Sequence, residues 1–205
     1  GWEDHGPEMR RAQGDANRPG FLGSLGSSWF PAITDVHARL SDATTPARVA
    51  DVGCGEGWSS IAMALAYPHV QVDGYDIDAP SVTAARLHAE GKGVADRARF
   101  HVEDLSDASI AGTYDLVTAF ECIHDMSDPV SALRAMRQLR APGGTVVIAD
   151  ELSAEAFDPD AGELERVFYG FSLSVCLPDC LSRGPSSATG PLIRPDPMRS
   201  YAQEA

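Results

Sequence analysis

The chain has 205 residues, thirty acidic and sixteen basic, for a formal net charge of −14. That length allows one well-buried domain with a short extension, and a field of that sign repels phosphate backbones, so nucleic acid is not an expected partner. No apolar run reaches the ~18 residues of a membrane span, and Gly1-Trp2-Glu3-Asp4-His5 lacks the basic and apolar stretches of a signal peptide, so a cytoplasmic protein with no membrane partner is expected. Gly1 in place of Met suggests a trimmed product or an excised fragment. The four cysteines, Cys54, Cys122, Cys176 and Cys180, have no framework spacing and read as reduced thiols. Cys176 and Cys180 have no second Cys/His pair nearby, so no metal site is expected.

In chain order, the first 28 residues carry Gly and Pro at short intervals and read as an extended or broken arm. Ile33, Val36 and Leu40 then share one helical face. Residues 1–46 form an arm and helix expected to act as a lid; Trp2, Trp29 and Phe30 could close a site or be core of that helix. Arg48–Val52 reads as a short buried strand, followed by a helix over Ser59–Tyr67 that Pro68 stops. Val70–Tyr75 is a second strand ending at Asp76. A helix over Pro80–Glu90 follows, with Pro80 in its first turn and Gly91 past its end. Arg99–Val102 is a third strand. Tyr114–Phe120 is a fourth, nearly all apolar, as a central parallel strand should be. Asp128-Pro129 opens a helix to about Arg140, and Pro142-Gly143-Gly144 turns the chain into a fifth strand, Thr145–Asp150. This alternation predicts an α/β fold with a doubly wound, mainly parallel sheet over residues 47–150. Residues 151–205 add a helix over Ala161–Leu177, a loop to Gly190 and a last helix over Arg194–Ala205.

The chemistry concentrates where strand one ends, at Asp51-Val52-Gly53-Cys54-Gly55-Glu56-Gly57-Trp58. Glycines there let the backbone turn tightly and approach a ligand beyond the carboxyl end of the strand. A dinucleotide fingerprint needs Gly where Trp58 stands, and a P-loop needs a Gly-Lys-Ser/Thr triplet that is absent. Asp51 and Glu56 would repel phosphate and suit a ligand with a sulfonium and an ammonium group, such as S-adenosylmethionine (SAM).

The run Asp51–Gly57 resembles the first motif of class I SAM-dependent methyltransferases. The likeness continues at Gly74-Tyr75-Asp76-Ile77-Asp78, where it implies that Asp76 holds the ribose hydroxyls. At Glu103-Asp104-Leu105 it implies an adenine pocket from Asp104 and Leu105. Tyr114-Asp115-Leu116-Val117 and Pro142-Gly143-Gly144 complete five motifs in order. The cofactor set expected from these is Asp51, Gly53, Gly55, Gly57, Trp58, Asp76, Ile77, Asp104, Leu105 and Phe120. The N–H groups that open the helix at Trp58 and Ser59 would meet the cofactor's carboxylate.

Asn17-Arg18-Pro19, Trp29-Phe30-Pro31-Ala32, Phe120–Met126, Cys176-Leu177-Pro178, Ala188-Thr189-Gly190 and Ile193-Arg194-Pro195 are similar to a bacterial group in which a winged-helix domain precedes the methyltransferase domain. That domain is not in this sequence. Class I members carry seven strands and this chain supplies five strand-like segments. Strand five is therefore expected to be an open apolar edge, prone to homo-oligomeric pairing or leaving the chain marginally stable, unless further residues exist in the real protein.

His124 follows strand four at the cofactor's rim, and Glu121 lies three residues before it, on one face if the segment turns helically. The pair is the candidate catalytic set, with His124 taking the proton from an acceptor hydroxyl or amine. His124-Asp125 could instead cap the loop or contact the methionine part of SAM. The resulting expectation is an enzyme that moves a methyl group from SAM to an O or N of a small-molecule acceptor, leaving S-adenosylhomocysteine. A non-catalytic SAM-binding regulatory module and a nicotinamide-dependent oxidoreductase are the rival readings.

Overall fold

The computed structural model describes residues 2–105, 113–160, 162–182 and 184–205. The chain begins with a helix where the sequence suggested a broken arm. Helix α1 spans Pro7–Gly20, with Pro7 in its first turn and Pro19 inside it. The axis continues through a wider π-type winding over Phe21–Trp29, then one short turn, Phe30–Ala32. Gly26 there is a site of close approach, not a break: a Cβ on it would collide with that of Ala66. Helix α2, Thr34–Ser41, buries Val36 and Leu40 as the spacing predicted.

Strand β1 is Arg48–Val52. Helix α3, Trp58–Ala66, follows the glycine loop, and β2 is Gln71–Asp76. Helix α4, Ala79–Lys92, is capped by Asp78, which accepts from Ser81 N, and it ends on left-handed Gly93. Gly91, predicted to lie past the end, is therefore inside the helix. Strands β3 and β4 are Ala98–Val102 and Tyr114–Phe120. Helix α5, Pro129–Leu139, starts from an Asp128 cap. The predicted turn at Pro142-Gly143-Gly144 is absorbed into a longer β5, Arg140–Ala149, as a register irregularity against β4. Gly143 takes a positive φ at that irregularity, so the pairing resumes at Thr145 without a separate turn.

Beyond the sheet, α6 spans Glu163–Phe171; its predicted start at Ala161 lies outside the described residues. It runs on through Ser172–Cys176 into a short helix, Leu177–Ser182, where a loop was expected. Helix α7 is Pro195–Glu204.

The five strands are parallel in the order β3-β2-β1-β4-β5. Alternation along them splits the core. Val49 and Leu116 face α3, α4 and the N-terminal helices, while Ala50 and Val117 face α5, with Met198 and Tyr201 of α7 packed beside it. The order reverses between β1 and β4, and the carboxyl ends of these two strands frame the crevice where open α/β sheets bind ligands. β5 ends the order, with a strand neighbour on one side.

Gly57 connects the loop to α3 at φ +82°, and a Cβ there would lie 2.7 Å from the Phe100 ring and 2.8 Å from Ala85. Gly57→Ala is expected to lower stability by roughly 1–3 kcal/mol, combining left-handed strain with overpacking. Denaturant unfolding reads this as a lower midpoint at constant slope. An unchanged midpoint would contradict the packing described.

Candidate active site

One cavity of about 730 Å³ runs along the carboxyl rim of the sheet, bounded by α1 and the α6 helix. That lies within the ~300–1,000 Å³ of ordinary ligand pockets.

The cofactor end is built from β1 and β2. Of the residues assigned to the cofactor from the sequence, Gly53, Gly55, Trp58, Asp76, Ile77, Asp104, Leu105 and Phe120 line the cavity. Asp51 and Gly57 lie beneath it. The Asp51 carboxylate is 1% exposed and accepts from the Ser59 and Ser60 hydroxyls at 2.6 Å each and from Thr118 at 2.8 Å. It ties β1 to β4 and to the first turn of α3 and is not among the residues that line the cavity. Burial raises its pKa, the hydroxyl donors opposing that.

Asp76 ends β2 with Oδ2 accepting from Gly55 N at 2.7 Å and Oδ1 from Asp78 N at 2.9 Å. The Ile77 backbone N–H also bonds this carboxylate; with about four acceptor sites in all, it keeps capacity for a ribose hydroxyl. Burial raises its pKa against these backbone bonds. The site therefore fits the nucleoside of SAM. Trp58 stacks on His88 with ring centroids 4.4 Å apart, and the Arg18 guanidinium lies 5.1 Å from the Trp58 ring centroid.

The acceptor end is built from the ends of β4 and β5. His124 is 3% exposed; its Nδ1 lies 2.6 Å from Asp150 Oδ1 and its Nε2 lies 3.3 Å from Asp125 Oδ1. Glu151 Oε2 is 3.5 Å from Nδ1, and the Cys176 thiol hydrogen-bonds the ring. Burial opposes charge on His124, but the hydrogen bonds to Asp150 and Cys176 and the charges of Asp150 and Asp125 outweigh it, pushing its pKa up to about 11. Asp150 is held below the usual carboxylate range, its bonds from His124 and Glu151 overcoming burial. Glu151 is pushed up to about 9 by burial and by its bond to Asp150, so it keeps a proton at neutral pH. Ligand atoms of His124, Asp150 and Glu151, and of His124, Asp125 and Cys176, lie within 4.8 Å of one another, a spacing a cation could bridge. The 2.6 Å contact, however, is the length of a charge-assisted hydrogen bond, which places a proton there.

Glu121 also lines the cavity, but it does not form a helical pair with His124. Its backbone is left-handed at φ 51°, and its carboxylate accepts from the Asn17 side chain of α1. The carboxylates oriented on His124 are Asp150 and Glu151, which sequence reasoning did not single out. The available signal was an acid pair directly after a strand adjacent to β4.

Helix α1 closes the cavity through polar contacts. Trp2 Nε1 donates to Asp125 Oδ2 at 3.2 Å, and Arg10 Nε sits 2.8 Å from Asp78 Oδ2. Trp2 lines the cavity and Phe30 is core, 1% exposed, whereas Trp29 is 40% exposed and takes neither place.

A protein-family model described as "Methyltransferase domain" matches residues 44–170, and the chain belongs to that family. It is 43% identical over 100 residues to a ubiquinone biosynthesis O-methyltransferase of Bordetella pertussis, covering 48% of this chain and 40% of that protein. The namesake from Xanthomonas axonopodis pv. citri is 41% identical over 115 residues, 56% of this chain and 46% of its own length. The chain thus spans less than half of each of these relatives. Among solved structures, the mitomycin 7-O-methyltransferase MmcR superposes with a TM-score of 0.69 at 18% identity, over 96% of this chain and 49% of that one. An O-methyltransferase family protein from Burkholderia thailandensis gives 0.66 at 18% identity, over 98% of this chain and 55% of that one. At such identity the likeness is one of fold. Among the described residues no helix is long and apolar enough to cross a membrane.

The His124 cluster has a direct readout. Its ring signals by imidazole NMR are expected to stay those of the imidazolium through neutral pH and to titrate near 11. Because the folded pKa is raised, the stabilisation is complete below the unfolded value of ~6.5 and is lost as pH rises through the folded one. A midpoint near 6.5 would contradict the cluster.

Proposed function

We propose that the chain binds SAM along the rim of β1, β2 and β4 and carries its methyl group to an oxygen of a small-molecule acceptor held between His124 and the α6 helix. The observation that carries this reading is the joining, in one cavity, of a glycine loop backed by Asp76 with a histidine oriented by a carboxylate. The relatives are O-methyltransferases by name, which favours oxygen over nitrogen. When bound, the cofactor supplies a methyl group already activated on a sulfonium centre. The protein then needs chiefly to align the acceptor, exclude water and handle one proton.

His124 is suited to the proton. Asp150 fixes its Nδ1, leaving Nε2 toward Asp125 and the cavity, the arrangement of a base with an orienting carboxylate. The ring is protonated in this closed geometry at neutral pH, so the base form grows as pH rises. The acids facing it, Asp125, Asp150 and Glu151, and the Cys176 thiol all set that balance. Asp51 and Gly57 act by holding the loop rather than by touching the cofactor. Helix α1 acts as a lid, latched by Arg10 and Trp2 and opening to admit ligands; it buries none of its own residues, so little apolar area resists its movement.

Two measurements test this. Titration calorimetry is expected to show binding of SAM and S-adenosylhomocysteine and none of NADH. Asp76→Ala should weaken both ligands through hydrogen bonds worth roughly 1.5–3 kcal/mol each, with a cooperative but lower melting transition because the Gly55 and Asp78 amides lose their acceptor. Affinity within twofold of the parent would remove Asp76 from the ribose site.

His124→Ala should lower turnover by roughly 10²-fold with SAM affinity preserved. It should also abolish the rise of rate with pH, while a chelator leaves the parent's rate unchanged. A lost SAM affinity would reassign His124 to the cofactor, and a chelator-sensitive rate would replace the base with a metal. Absence of methyl transfer across a broad acceptor screen, with SAM bound, would favour a regulatory module.

A further inference from the structure

A thiol, an imidazole and a carboxylate meet at the acceptor end of the cavity. Cys176 closes the π-wound stretch Ser172–Cys176, a winding frequent at functional sites. Its thiol hydrogen-bonds both His124 and Asp125, which follow β4 in one short turn. Cys180, one turn further on, faces Ser186 Oγ at 2.8 Å instead.

The two ring nitrogens of His124 have different neighbours. Nδ1 is spent on Asp150 at 2.6 Å, which keeps the group of His124, Asp150 and Glu151 for a proton. Nε2 belongs to the other group: Asp125 Oδ1 is 3.3 Å away, and Asp125 Oδ2 is taken by Trp2. A histidine that ligates a metal through one nitrogen characteristically gives its other N–H to a carboxylate, which orients the ring. Asp150 stands in that place. Tetrahedral zinc bonds of ~2.0–2.3 Å put neighbouring ligand atoms about 3.5 Å apart, and here the three atoms lie within 4.8 Å of one another. His124, Asp125 and Cys176 all line the cavity, so an ion reaches them from it and keeps a fourth position open.

We infer that His124 Nε2, the Asp125 carboxylate and Cys176 Sγ form an inhibitory site for a thiophilic divalent cation of the zinc class. Binding forms three coordinate bonds, and the protons on Nε2 and Sγ leave to solvent. The ion then occupies the nitrogen suited to take the acceptor's proton and holds the site off until it is removed. The inhibition rests on the methyl-transfer reading above; the binding does not. Mg²⁺, which prefers oxygen ligands, does not compete.

Calorimetry and cobalt absorption on the full chain, without SAM or acceptor, test the binding. The parent is expected to take one zinc equivalent with a Kd of about 10 µM or tighter in excess Mg²⁺, and Co²⁺ should give the near-ultraviolet band of a thiolate ligand. Cys176→Ala should abolish that band and weaken zinc by about tenfold or more, Asp150→Asn should weaken it about tenfold to a hundredfold, and Cys180→Ala should match the parent. A cobalt spectrum without the thiolate band, parental zinc affinity in Cys176→Ala, or loss in Cys180→Ala alone overturns the site. In a methyl-transfer assay, saturating zinc should lower the parent's rate about tenfold or more, and a chelator should restore it; bound zinc with an undiminished rate overturns the inhibition. A parent that binds zinc but not SAM supports the metal site and overturns the cofactor reading alone.

Discussion

The Asp51 carboxylate sits where three pieces of the molecule have to agree. It leaves β1 one residue from its end, receives Thr118 from β4, and receives Ser59 and Ser60 from the first turn of α3. Taking a carboxylate out of water is costly unless its oxygens are occupied, and here both are. The hydroxyls satisfy it only when β1 and β4 are paired in register and α3 begins at Trp58. That condition shapes the glycine loop and places Gly53 and Gly55 at the cavity wall.

From this fixed floor the site grows by contributions from strand ends. Asp76 comes from β2, Glu121 and His124 from the end of β4, and Asp150 and Glu151 from the end of β5. The rim is strongly acidic, and its charge is managed in three different ways. Asp78 takes a cation from α1, Glu151 keeps its proton, and Asp150 shares one with His124. A negative rim attracts a cationic cofactor, in keeping with the net charge of the chain. The roof differs in kind: α1 is held by polar latches, and the π-wound segment after it anchors Phe21 and Leu25 in the core. Rigid floor and latched roof are what a site needs when it must exclude water and still exchange ligands.

The sheet was legible because buried parallel strands are short apolar runs separated by helices, and Tyr114–Phe120 was read to the residue. Helix α1 and the π-wound segment after it were not, because Gly and Pro are locally breakers while tertiary contact decides the outcome; in that segment Gly26 lets Ala66 approach. The turn at Pro142-Gly143-Gly144 was misplaced for a related reason, since pairing to β4 absorbs it as a bulge. At the site, the residues named from the glycine loop line the cavity apart from Asp51 and Gly57, and the hydroxyl partners of Asp51 lie eight, nine and sixty-seven positions away, beyond the reach of local pattern. Glu151, Arg10 and Asn17 reach the cavity, and Asp150 reaches His124, only through the fold.

The central claim is that Asp51 builds the pocket from beneath instead of binding in it, and one measurement addresses it most directly: the denaturant midpoint of ligand-free Asp51→Ala, set beside its SAM affinity under folding conditions. Three buried hydroxyls without their acceptor should cost about 3 kcal/mol or more of stability before any ligand is added. A variant as stable as the parent that has lost SAM binding would show Asp51 to be a direct ligand and contradict the account.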